Sequence, residues 1–356
     1  MSDRLQRLRQ LLEDAGLDGL LVSHLENMYY LSGFTGDAGV LVVTLGRALL
    51  ITDFRYIEQA QEQAPGWEVR RWEDPLTDAA ALVAAIEEEP GSRLAFESHH
   101  LTYDLYSKLA EQARAVKLIP LAWAVERQRA LKEEGELETL QQACRLTDEG
   151  FLHVLPLIKP GVVERELVLE LEYFFRQKGA EPAFPSIVAA GPHASMPHAI
   201  PGDRPLAVGD TLIIDCGARF AHYHADMTRT VFLGKASERQ RELYLAVLGA
   251  QKEALGSILP GMIGREADGI ARNYLSERGL GENFGHGLGH GIGLEIHELP
   301  RLNARSDEQL ELSMAFTVEP GVYIPGFGGI RIEDSVVLRE DGPERMTLTP
   351  TDMLEL

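Results

Sequence analysis

TLIIDCGARFAHYHADMTRTVFLG, residues 211–234, decides how the second half of this 356-residue chain is read. Its apolar and polar residues alternate as in a β-hairpin or meander. It carries Asp215 and Asp226, 11 residues apart. On one straight strand an odd separation sends two side chains to opposite faces. A turn between them removes that constraint and can bring both carboxylates to one face. DMTRT (226–230) is a polar patch in an apolar strand, so its burial is costly without a partner. A bound cation or an arginine would resolve that cost. Taken singly, an aspartate at a strand end reads equally well as a turn or cap residue.

Three further segments extend the pattern. HGLGHGIGLEIHE (286–298) holds His286, His290 and His297. His286 and His290 have the i, i+4 spacing of a helical zinc motif, but Gly287, Gly289, Gly291 and Gly293 oppose a helix there. Such glycines let backbone approach a ligand closely, and GIGLEIHE reads as a strand. TVEPGVY (317–323) and GIRIED (329–334) place Glu319 and Glu333 in apolar surroundings. Pro320 and Gly321 turn the chain directly after Glu319. The plain structural reading of Glu333 is an ion pair with Arg331, since alternation puts both on one face. Taken together, Asp215, Asp226, His290, Glu319 and Glu333 look like the ligand set of a two-metal site. Four carboxylates and one imidazole can hold two divalent ions, which make a nucleophile from water at neutral pH. The chain then reads as a hydrolase.

The length suggests about two domains at roughly 150 residues each. With 45% hydrophobic residues there is enough apolar surface for real cores. A formal charge of −21 argues against a nucleic-acid partner, which needs a cationic face. Two cysteines make no disulfide framework, and Cys216, beside Asp215 in an apolar strand, reads as a buried small residue. The N-terminal MSDRLQRLRQLLEDAG lacks the apolar core of a signal peptide, and no run suits a membrane span. A cytoplasmic location is expected.

Leu5, Leu8, Leu11 and Leu12 give a first helix ending near Gly16. Strands at 19–23, 39–44, 48–52 and 94–98 alternate with helices near 54–63, 77–88 and 102–113, which predicts an α/β domain over residues 1–124. The charge-rich VERQRALKEEGELE (125–138) is the linker candidate, with a solvated helix as its plain reading. The remainder, 125–356, is predicted to be α+β. Helix–helix and strand–strand blocks occur twice there, which suggests internal pseudo-symmetry.

Jointly these motifs resemble the dinuclear metallopeptidases of the creatinase/methionine aminopeptidase, or pita-bread, fold. HGLGHGIGLEIHE is similar to the signature of the proline-peptidase branch, the Xaa-Pro aminopeptidases and Xaa-Pro dipeptidases. PHASMPHA (192–199), NMYYLSGFTG (27–36) and TDFRY (52–56) resemble further blocks of that family, so the resemblance covers nearly the whole chain. It implies that Asp215 binds one metal bidentately, that Asp226 and Glu333 bridge, and that His290 and Glu319 complete the second metal. It places His198, His286 and His297 around the substrate and Arg331 behind the ligands. His222 and His224 depart from the family pattern, in which small residues usually stand there. Oxygen-rich ligation with a single imidazole suits Mn²⁺, with Co²⁺, Zn²⁺ and Fe²⁺ as alternatives.

The implied reaction attacks the carbonyl carbon before a proline, so the expected partners are peptides with proline second. His198 or His297 would stabilise the oxyanion, and Glu319 would carry the proton to the proline nitrogen. His286, His297 and Tyr323 would wall the proline pocket. The compact two-domain length and the FGHGLGHGIGLEIHELPR context (284–301) most resemble short bacterial Xaa-Pro aminopeptidases, which implies an aminopeptidase. Arg301, where some dipeptidases carry a carboxylate-reading arginine, is the feature that supports the dipeptidase alternative. A metal-free creatinase-like hydrolase and a binding module are the readings from other classes. The resemblance also implies a homodimer.

Overall fold

The structure is a computed structural model and describes residues 3–72 and 92–356. The chain divides into two compact units, Met1–Arg129 and Ala130–Leu356. No helix among the described residues is long and apolar enough to cross a membrane.

In the first unit, strands built from apolar runs make one six-stranded sheet. Its spatial order is Glu68–Trp72, Ala48–Asp53, Val40–Thr44, Gly19–Val22, Arg93–Glu97 and Lys117–Leu121. The last three run parallel to one another. Leu21, Val42, Leu49, Ile51, Trp72, Leu94 and Phe96 form a core with Leu109 of the helix Tyr103–Gln112. The α/β expectation holds. The helix expected at 77–88 lies outside the described residues. Helix Leu25–Ser32 was not legible in the sequence; it ends where Gly33 turns left-handed and donates its N–H to Tyr29 O.

The charge-rich stretch is two helices, Ala124–Ala130 and Glu134–Val154. It is not the solvated helix that its composition suggested, because Glu126, Arg129, Lys132 and Glu136 are all buried. Each has found polar partners: Glu126 and Arg129 meet Asn27, Lys132 meets Glu298, and Glu136 accepts from Tyr223 Oη.

The second unit repeats one motif. IKPGVV (158–163) precedes the helix Glu164–Gln177, and ILPGMI (258–263) precedes Gly264–Ser276. In each copy a left-handed glycine, Gly161 or Gly261, donates its N–H to the next connection, at Leu206 O or Leu310 O. Each copy then leads to a carboxylate-bearing strand pair. The strand Thr211–Cys216 carries Asp215, and its antiparallel neighbour Met227–Phe232 is preceded by Asp226. The strand Ala315–Val318 is followed by Glu319, and its antiparallel neighbour Asp334–Arg339 is preceded by Glu333. Four carboxylates are thus two versions of one arrangement, as the repeated blocks in the sequence suggested.

Gly217 makes the first of these pairs possible. A Cβ there would run into the carbonyl of Ala225, backbone against side chain with nothing flexible to yield. Gly217→Ala is therefore expected to cost about 2 kcal/mol or more, the upper range of overpacking. Gly269→Ala, within a helix where an added Cβ meets nothing, is expected to stabilise by about 0.5–1 kcal/mol. Urea unfolding of the two variants checks the contrast.

Candidate metal centre

Strand register explains how the two aspartates meet. Asp215 stands opposite Thr228. Asp226 lies two residues before Thr228, so all three side chains share one face. Between them the chain makes a small hairpin, Ala218–Phe220 with Tyr223–His224, turned by Ala221 and His222 at left-handed φ of 44° and 73°.

His290 sits in the short strand Gly289–Gly291, between Ala315–Val318 and Glu298–Leu302, with a bulge after it. The glycines here let backbone approach backbone rather than a ligand. A Cβ on Gly289 would strike Thr317 O, and one on Gly291 would strike Leu299 O. GIGLEIHE is not one strand. Residues 293–297 form bends, and the strand resumes only at Glu298. The alternation in this segment came from glycines needed for close packing, not from a pleat.

Asp226, His290 and Glu333 bring ligand atoms within 4.8 Å of one another. His290 Nε2 lies 3.6 Å from Asp226 Oδ2 and 3.4 Å from Glu319 Oε1. Thr228 Oγ1 donates to Glu333 Oε2 at 2.6 Å, and Thr317 Oγ1 donates to Glu319 Oε1 at 3.1 Å. Arg331 does not pair with Glu333. Its Nη2 donates to Asp215 Oδ2, its Nε to Thr228 Oγ1 and its Nη1 to Tyr323 Oη at 2.7 Å. Alternation sets a side chain's face but not its partner across the sheet.

Protein charges alone leave this cluster unbalanced. Burial first, then the charges of Glu333, Asp215 and Glu319, pushes the Asp226 carboxyl well above the usual range. Burial and then Glu319 do the same to Glu333. Burial raises Glu319 to about 8. Asp226 Oδ1 and Glu333 Oε1 are buried without a hydrogen-bond partner among the described residues. Burial lowers His290 to about 3, so its imidazole is neutral. Its Nδ1–H donates to Gly291 O at 3.1 Å, which leaves the Nε2 lone pair facing two carboxylates. Once those carboxyls ionise, lone pair meets lone pair, and a cation between them makes the contact favourable. The donor set fits divalent metal.

The remaining candidates surround this cluster. Burial drops His286 to about 4 and lifts Tyr323 to about 12. A hydrogen-bonded chain runs from Arg331 through Tyr323 Oη to His286 Nε2 at 3.0 Å, and His286 Nδ1–H ends it on Gly287 O. The Tyr323 hydroxyl is thus engaged inside the protein. The His297 ring meets the His290 ring edge-on at 4.2 Å. His198 is exposed and lies near enough to His286 and His297 to disfavour their protonation. Arg301 pairs with His290 in strand register and is exposed. His224 Nδ1 holds Gly293 O at 3.0 Å, and His222 is exposed in the turn; neither joins the Asp226–His290–Glu333 group. Cys216 is buried and its thiol is pushed up by burial, which suits a structural residue.

The sequence reading missed Thr228 and Thr317, which orient Glu333 and Glu319. It also missed Asp268 and Arg272. Arg272 donates to Phe284 O and His286 O, and Asp268 Oδ1 accepts from Leu288 N, so one helix clamps the histidine segment. Their i, i+4 spacing was a visible signal, but it reads as surface pairing.

The raised carboxyls fix a pH response. A group whose pKa is higher folded than unfolded favours folding at low pH and loses that contribution as pH rises towards the folded value. The lowered histidines act only below about 6.5. Chelator-stripped protein is therefore expected to lose thermal stability between pH 6.5 and 8.5, and saturating Mn²⁺ to remove the loss. Melting temperatures across that window check it. The clustering of ligand atoms also sets an expectation for composition: Glu333→Ala should lower metal content, and His198→Ala should leave it unchanged, as read by elemental analysis.

Comparison with known proteins agrees with this geometry. Residues 4–131 match the Creatinase/Prolidase N-terminal domain, and 138–340 match Metallopeptidase family M24. The chain is 42% identical to a solved Xaa-Pro dipeptidase from Bacillus anthracis, covering 99% of both chains with a TM-score of 0.94. It is 36% identical to a solved X-Pro aminopeptidase from Thermotoga maritima MSB8, covering 99% of this chain and 100% of that one, with a TM-score of 0.89. An Xaa-Pro dipeptidase of Pyrococcus horikoshii is 33% identical over 357 residues, 99% of each chain. With its pita-bread second unit and creatinase-type first unit, the chain belongs to the M24 metallopeptidases.

Proposed function

We propose that the protein hydrolyses the bond between a first residue and a following proline, preferring Xaa-Pro dipeptides, with two divalent ions held by Asp215, Asp226, His290, Glu319 and Glu333. The charge balance supports two ions. Among the described residues Arg331 is the guanidinium that faces the four carboxyl groups, so once all four ionise three negative charges are left uncompensated. One divalent ion falls short of that number and two exceed it. Mn²⁺ suits the oxygen-rich set, and Co²⁺, Zn²⁺ or Fe²⁺ could replace it.

Bound there, the ions supply Lewis acidity that lowers the pKa of water and polarises the scissile carbonyl. The protein's own groups do the rest. Glu319 takes the proton of the attacking water and delivers it to the proline nitrogen, while Thr317 Oγ1 holds its Oε1. His297 donates an N–H to the developing oxyanion, with His198 beside it. Proline's tertiary amide offers no N–H, so recognition rests on shape, with His286 and the Tyr323 ring as walls. Arg331 holds Asp215 in a charge-assisted hydrogen bond and fixes Tyr323.

The observation that carries the dipeptide preference is the register of Arg301 opposite His290. A cation on that face can read the free carboxylate of a C-terminal proline. From sequence alone the aminopeptidase reading led; this placement, with the dipeptidase names of two of the relatives above, moves the preference. The Thermotoga maritima likeness keeps the aminopeptidase as the second reading.

Chelation is expected to abolish Xaa-Pro cleavage and Mn²⁺ to restore it. Arg301→Ala is expected to raise KM for Xaa-Pro about 10-fold or more with little change in kcat, the mark of lost ground-state binding. Steady-state kinetics on Xaa-Pro and Xaa-Pro-Xaa peptides checks both. Faster cleavage of tripeptides, untouched by Arg301→Ala, would establish the aminopeptidase instead.

A further inference from the structure

We infer that Lys132 and Glu298 form a positioning pair that sets the aim of His297, an inference that rests on the role proposed above for His297. His297 is exposed and meets His290 edge-on at 4.2 Å, a contact that still requires its backbone to be held in place. Its aim therefore depends on the backbone that carries it. That backbone is the bend-rich loop 292–297, which ends at Glu298.

The loop is tied down from within. Lys132 Nζ lies 2.8 Å from Glu298 Oε1, and the two side chains are only 1% and 3% exposed. Glu298 Oε2 accepts the N–H of Glu295 at 3.3 Å. One carboxylate therefore holds both the lysine and the middle of the loop. Gly293 belongs to the same device, because a Cβ there would collide with that carboxylate. Gly293 O takes the backbone N–H of His224 at 2.8 Å, which anchors the loop's start.

Lys132 is itself fixed. It occupies the break between helices Ala124–Ala130 and Glu134–Val154. Its N–H donates to Ser313 O at 3.1 Å, and Leu131 bridges Met314. The ammonium is thus delivered from a rigid segment to the residue that follows His297.

Stability does not explain such a pair. Two buried charges lose hydration that their attraction barely repays, and an apolar pair of similar volume often folds as well or better. An apolar side chain at 298 could not accept the Glu295 N–H. What the charged pair adds is a defined path for the loop, and a displacement near 1 Å at a reacting group is enough to cost turnover.

The test uses metal-loaded enzyme and a double-mutant cycle. Lys132→Met is expected to lower kcat about 10-fold, with metal content unchanged and KM shifted less than kcat. Lys132→Arg is expected to retain most of the turnover. In a His297→Ala background, Lys132→Met is expected to cause no further loss. If Lys132→Met does not fold, the neutral pair Lys132→Met with Glu298→Gln takes its place, with the same expectations. Unchanged kcat in a folded variant overturns the inference, as does a loss that simply adds to that of His297→Ala. A harmless His297→Ala overturns the role given to His297, and this inference with it. A damaging His297→Ala beside a harmless or additive Lys132→Met overturns the inference alone.

Discussion

Buried negative charge is the constraint on which the rest depends. Asp226 and Glu333 are almost wholly buried, each with an oxygen that no group among the described residues satisfies. Beside them stand Glu319 and a neutral His290 whose Nε2 faces carboxyl oxygens of Asp226 and Glu319. A fold tolerates such a cluster only if it protonates or binds cations. Among the described residues Arg331 is the guanidinium placed among these carboxylates, and it is committed to Asp215 and Tyr323. The arrangement makes sense as a cage whose missing term is positive charge.

The surrounding structure serves to hold that cluster against its own repulsion. Each half of the second unit delivers two carboxylates from the ends of paired strands, and a second layer of polar contacts fixes the backbone behind them. Arg229, almost fully buried, donates to Glu333 O and to Asp334 Oδ1, so the backbone of one carboxylate-bearing segment is pinned from below. Asp334 is shared further with Arg345, Thr347 and Gln251. The Asp268–Arg272 clamp plays the same part for the histidine segment. Rigidity of this kind keeps donor atoms at metal-binding distance before any cation arrives.

Much of this was legible in the sequence. Asp215, Asp226, His290, Glu319 and Glu333 stand out because polar residues in apolar strands demand an explanation; the structure brings ligand atoms of Asp226, His290 and Glu333 together, with Glu319 beside His290 and Asp215 on Arg331. The repeated helix–strand blocks were visible as well. What failed shares one physical cause, that one-dimensional pattern does not give partners. GIGLEIHE alternates like a strand, yet its glycines exist for close backbone contact and the chain bends there. Arg331 and Glu333 share a face, yet Arg331 reaches across the sheet to Asp215. Lys132 and Glu136 sit in a stretch that composition assigns to solvent, and both are buried because Glu298 and Tyr223 meet them. Helix Leu25–Ser32 escaped notice because eight residues give too short a period to read.

Proton release on metal binding tests the central claim most directly. If the carboxyls are held protonated by burial and by one another, cations must displace those protons. Calorimetric titration of stripped protein with Mn²⁺ at pH 7, repeated in buffers of different ionisation enthalpy, measures the number released. The account predicts tight binding with a net release of protons, growing smaller as pH rises past about 8, where Glu319 would already be ionised. Binding without proton release, or no binding at all, would contradict it.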